Sequence, residues 1–145
     1  MIMPEEKIGN LPEASRSHEV PFNPKSIAIA TGTFYPNWYE GEAKVPLTAD
    51  KLRGDLALQT FRSAKMQNFQ LVVVDDGSSL AFKKALEQNN IYYEMQKTKG
   101  GAGPARRQGI KQAETLQGVK VIGQTEPEKI PIVSNCIKIV SLPIL

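Results

Sequence analysis

The 145 residues suffice for one modest domain with its own core and are too few for two of ordinary size. A composition with 41% hydrophobic and 23% charged residues excludes fibres, disulfide scaffolds and wholly disordered chains. The 18 Lys and Arg against 15 Asp and Glu leave a formal charge of +3, too weak a field to imply nucleic acid as a partner.

Residues 1–25 are polar, contain four prolines and show neither helical nor strand periodicity, so they read as a flexible extension without a secretory signal. Its one histidine, His18, stands apart from every other candidate group and supports no catalytic triad. Ile27 to Thr31 form an apolar run that ends at Gly32, the pattern of a strand covered on both faces. The irregular stretch from Phe34 to Pro46 carries Tyr35, Trp38 and Tyr39, which either stack on a ligand or pack back on the domain. Thr48 is placed to cap a helix with Asp50 in its first turn, and Leu52, Leu56, Ala57, Thr60, Phe61 and Ala64 recur along one stripe.

A β-branched run at Leu71 to Val74 predicts a second interior strand. Ser78 or Ser79 then caps a short helix with Phe82, Ala85 and Leu86 facing the sheet, and Asn89 and Asn90 end it before a third strand at Ile91 to Met95. A further helix is expected to start at Pro104, with Gly109, Ile110, Ala113 and Leu116 inward. Gly118 closes it, and Val119, Val121 and Ile122 give a fourth strand. This alternation predicts an α/β fold with a mostly parallel, Rossmann-like sheet of about four strands flanked by helices, and ligands beyond the carboxyl ends of the strands. The expected organisation is an extension at 1–25, one α/β domain at 26–131 and an apolar tail at 132–145. That tail holds Cys136, the single cysteine, is too interrupted and short to span a membrane, and needs a partner or a further domain to cover it. A lone cysteine suggests a reducing, cytoplasmic compartment.

Two junctions carry the chemistry. Asp75-Asp76-Gly77-Ser78-Ser79 places two carboxylates at the end of a buried strand, where they either meet a base or ribose or merely cap the turn. Lys99-Gly100-Gly101-Ala102-Gly103-Pro104-Ala105-Arg106-Arg107 puts glycines and guanidinium groups at a helix start, which suits a phosphate; a flexible loop with solvated arginines is the alternative. It is neither a Walker A loop nor a dinucleotide fingerprint.

The strand ending in Asp75-Asp76-Gly77-Ser78 and the later helix start with Ala105-Arg106 resemble family 2 glycosyltransferases over about Ser26 to Ile122. The first loop, Thr31-Gly32-Thr33-Phe34-Tyr35-Pro36, and the segment Thr125-Glu126-Pro127-Glu128-Lys129 are similar to those of glycosyltransferase-like proteins. The resemblance implies the nucleotide-binding half of a GT-A fold that binds a nucleoside diphosphate sugar, with transfer of the sugar to an acceptor. It implies that the first loop, with Thr31, Thr33 and Phe34, and Asp76 lie near the base and that Arg106 lies near the diphosphate; Asp75, Gly100 and Gly101 are further candidate contacts from the two junctions themselves. It also implies a divalent metal, Mg or Mn, for which Glu126 and Glu128 stand where the family carries an Asp-x-Asp signature. Arg107 replaces the family's usual Asn, and the acceptor-binding half expected next does not follow before Leu145. A non-catalytic nucleotide-binding or interaction module is the competing expectation.

Overall fold

The computed structural model describes residues 23–128, so His18, Cys136 and the expected tail lie outside the described residues. A short 3-10 turn at Pro24–Ser26 leads into β1 (Ile27–Thr33). There follow α1 (Ala49–Met66), β2 (Gln70–Asp75), α2 (Leu80–Gln88), β3 (Tyr93–Met95), α3 (Ala102–Glu114) and β4 (Val121–Gln124). The four strands are parallel in the order β3-β2-β1-β4. The chain therefore moves outward from β1 to β3 and then crosses to the other side of β1, leaving a switch point between β1 and β4.

Helix ends set where the strands begin. Thr48 caps α1 by accepting from the amide of Lys51, and Ser79 caps α2 by accepting from that of Phe82. At their C-terminal ends Asn68 and Asn90 take positive φ values of 67° and 57°. The amides of Phe69 and Ile91 return to the carbonyls of Ala64 and Leu86, at 3.1 and 2.9 Å. Each pair also packs together in the core, so each stop is a Schellman motif with its apolar contact.

The two sheet faces are built differently. Against α1 and α2 lie large side chains: Tyr35, Trp38, Leu58, Phe61, Val73, Phe82, Leu86 and Ile91 form one buried cluster. Against α3 lie small ones, with Ala28 and Ala30 packed on Ala113. A Cβ built on Gly109 would stand 3.4 Å from the Cβ of Ala30, and one on Gly32 would stand 3.5 Å from that of Ala105. Ala105, Gly109 and Ala113, spaced four apart, thus form a smooth stripe that seats α3 directly on β1.

Five expectations shift. Thr33, not Gly32, ends β1; α3 starts at Ala102, two residues before Pro104; β3 is only Tyr93–Met95, with Ile91 a core residue and Tyr92 exposed. The fourth strand begins at Val121, not Val119, which packs under the sheet instead. The α1 stripe is also rotated: Lys51, Gly54, Ala57, Leu58, Phe61 and Ala64 are buried, while Leu52 is exposed and Leu56 half-buried. Trp38 causes the rotation. Its ring lies over Gly54, its indole N–H donates to Asp55 at 2.9 Å, and the Lys51 ammonium sits 4.7 Å from its centroid. The aromatic loop therefore packs back on the domain, with Tyr35 and Trp38 both edge-on to Phe82.

The turn after β2 is fixed by Asp75, which has no exposed surface. Its carboxylate accepts from the Thr33 hydroxyl at 2.7 Å and from the amides of Gly77 and Ser78 at 2.9 Å. Gly77 has φ 116°, a conformation that favours glycine.

Two substitutions test this packing. Gly54→Ala gains about 1 kcal/mol in helix propensity, but its Cβ would lie 2.3 Å from Trp38 Cδ1. Overpacking costs about 1–3 kcal/mol, so a net loss of stability is expected in denaturant titration, and a stabilised variant would contradict the packing. Thr33→Val removes one of three donors from a buried carboxylate and is expected to cost about 1–3 kcal/mol in the same measurement.

Candidate nucleotide-binding site

A cavity of about 580 Å³ opens at the carboxyl ends of the strands, within the size range of small-molecule sites. Its walls come from every strand exit: Thr31 to Thr33 at the end of β1, Asp76 after β2, Gln96 after β3, and Gln124 to Glu128 from the end of β4 onward. Arg53 reaches it from α1, and Gly101, Ala102, Ala105 and Arg106 reach it from the start of α3. Asp76 and Arg106 accordingly share one rim.

The start of α3 is prepared for an anion. Gly101 occupies the N-cap with φ 86° and offers no side-chain cap, so the first amides of the helix carry no capping bond. Pro104 falls in that first turn, where its missing N–H breaks no helical bond. Gln96 stiffens the approach by donating to the carbonyls of Thr98 and Gly101, at 2.8 and 3.0 Å. Gln108, one turn further, clamps β3 to the loop by donating to Glu94 and Met95 and accepting from the amide of Lys97. Arg106 is exposed and lines the cavity; Arg107 and Gly100 do not line it.

On the opposite side, Phe34 is half exposed and lines the cavity close to Gly77. Asp76 is exposed beside it, and its amide donates to the carbonyl of Thr33 at 2.9 Å. An apolar ring next to an acceptor carboxylate is the arrangement that a planar base with N–H donors fits. Asp75, expected among the contact residues, is instead sealed behind the wall, because three donors on its own fold hold the carboxylate there. Thr31 and Thr33 line the cavity, but their hydroxyl protons are spent inside the protein, on the carbonyl of Thr125 at 2.8 Å and on Asp75.

The third wall escaped sequence reasoning. Glu128 accepts from the Tyr35 hydroxyl through Oε2 at 2.7 Å and from Arg53 Nε through Oε1 at 3.0 Å. The Arg53 guanidinium also lies 5.5 Å from the Tyr35 ring centroid. Burial, with the Glu128 hydrogen bond behind it, raises the Tyr35 pKa well above the usual phenol value, so this hydroxyl is a donor throughout ordinary pH. Hydrogen bonding to Glu128 likewise raises the Arg53 pKa. These partners are 75 and 93 residues from Glu128 in the chain, and no local spacing announces them.

The acidic pair expected to hold a divalent metal therefore does not fit that role as a pair. Both oxygens of Glu128 are engaged, one of them by a cation, and a metal would have to displace Arg53. Glu126 lines the cavity and is exposed. No group of three His, Cys, Asp or Glu side chains that could hold a metal occurs among the described residues. Among them, too, no helix is long and apolar enough to cross a membrane.

Residues 52–116, from α1 to just past α3, match the family model described as glycosyl transferase family 2. No curated protein and no solved structure matches the chain. The matched segment contains both junctions, Asp75 to Ser79 and Gly100 to Arg106, and it lies within the parallel sheet with helices on both faces. That match and that architecture support a family 2-like, nucleotide-diphospho-sugar transferase domain, with the parallel α/β sheet consistent with the nucleotide-binding half of a GT-A fold.

Proposed function

We propose that the cavity binds the nucleoside diphosphate part of a sugar donor, with the sugar passed on to an acceptor as in glycosyltransferase chemistry. The observation that carries this reading is the meeting of Asp76 and Arg106 on one cavity, where a base and a diphosphate can be held together. Asp76 accepts from the base or ribose beside Phe34. Arg106 and the uncapped amides of α3 take the diphosphate, where the helix dipole, the amides and a guanidinium fork favour the same charge. Thr31, Thr33 and Asp75 act one layer back, by fixing the backbone that carries the contact groups. No step is assigned to a divalent metal, because Glu128 is engaged elsewhere. The proposed setting is cytoplasmic, on the strength of the single cysteine.

A binding module without turnover is the second reading, favoured by the commitment of the carboxylates of Asp75 and Glu128 to the fold. Release of free sugar from a bound donor separates the two: turnover supports the enzyme, and saturable binding without release supports the module.

Neither the Asp76 nor the Arg106 side chain hydrogen bonds to a described residue, and both are exposed. Asp76→Ala and Arg106→Ala are each expected to weaken binding of a sugar nucleotide about tenfold or more while leaving the melting temperature unchanged. Titration curves that match the unsubstituted protein would refute the assignment.

A further inference from the structure

We infer that Arg53 is a second diphosphate ligand, and that this cavity holds its donor without a divalent cation. The inference builds on the donor-binding reading above and adds the residue and the charge that replace a metal. α1 and α3 lie on opposite faces of the sheet, so one guanidinium enters the cavity from each face, Arg53 from one and Arg106 from the other.

Arg53 is held ready for that role. Its Nε is fixed by Glu128 Oε1 at 3.0 Å, and Glu128 is itself fixed by the Tyr35 hydroxyl at 2.7 Å. The Tyr35 ring, almost fully buried, carries the guanidinium on its face. Among the described residues nothing accepts from the terminal amines of Arg53, and its side chain is 53% exposed. A guanidinium bonded through Nε still presents its outer amines, a geometry that fits phosphate oxygens. Glu128 is thereby a positioning residue: the carboxylate expected to hold a metal holds an arginine. Asp76 and Glu126 also line the cavity, so the anion is admitted at the two guanidinium groups and not across the whole wall.

The test is calorimetric titration of the full chain with UDP, GDP, ADP and CDP, in EDTA and again with Mn. At least one nucleoside diphosphate is expected to bind in EDTA, with affinity within about threefold of that in Mn. Arg53→Gln is expected to weaken that binding about tenfold or more, the loss of a charge-assisted bond. Arg53→Met, which keeps the aliphatic stem over Tyr35, is expected to lose as much, so charge and not packing is read. Binding that appears only with Mn, or that is indifferent to both substitutions in EDTA, would overturn the inference and leave the donor-binding reading standing. If no nucleoside diphosphate binds under either condition, both fall together.

Discussion

The close seating of α3 on β1 is the constraint from which the site follows. Ala28, Ala30 and Gly32 on the strand meet Ala105, Gly109 and Ala113 on the helix, and a Cβ added at Gly109 or Gly32 would already be in van der Waals contact across the seam. In so dense an interior, side chains larger than alanine at these positions would have to displace the helix or the strand. The register of α3 along the sheet is therefore set by steric fit. The same fit puts Arg106 and the first helical amides at the mouth of the switch point, since Ala105 touches Gly32 and Arg106 follows it. The proposed phosphate end of the site is a by-product of how the helix must pack.

The proposed base end is organised by hydrogen bonds. Asp75 gathers a hydroxyl from β1 and two amides from the following turn, which obliges Gly77 to take its positive φ and turns Asp76 outward. Ser78 accepts from the Tyr35 amide at 2.9 Å, and Ser79 donates to the carbonyl of Trp38 at 2.7 Å, so the β1 loop and the β2 turn are laced together. A buried carboxylate is costly unless its acceptor capacity is filled, and here the filling groups belong to both partners of the β1–β2 pair. One side chain thereby welds two strand exits into a single rim.

Much of this was legible in the sequence because the signals are local. The strands announced themselves as apolar runs, the first two helix starts as Thr48 and the Ser78-Ser79 pair, and the end of α2 as Asn89-Asn90; the parallel sheet followed from strict alternation. The rotated face of α1 was illegible because Lys51 is counted as polar, whereas its stem and ammonium are enclosed by aromatic rings and carbonyls. Asp75 and Asp76 could not be told apart, since β2 is covered on both faces and shows no alternation from which to read inside and outside. The Tyr35–Glu128–Arg53 wall joins three distant parts of the chain, and pairings at that range leave no periodic trace. The resemblance implied a metal at Glu126 and Glu128 for the same reason: a matching position and separation say nothing about the cation that already holds Glu128.

Lys51 carries a consequence for how the stretch before α1 is held. Its ammonium, 1% exposed, is closed in by the carbonyls of Tyr39 and Gly41, the Asp55 carboxylate and the rings of Trp38 and Tyr39. Every one of those partners belongs to α1 or to the segment just before it, so lifting that segment would strand a desolvated cation. The aromatic stretch is thus a masonry course laid into the first helix, with no hinge of its own.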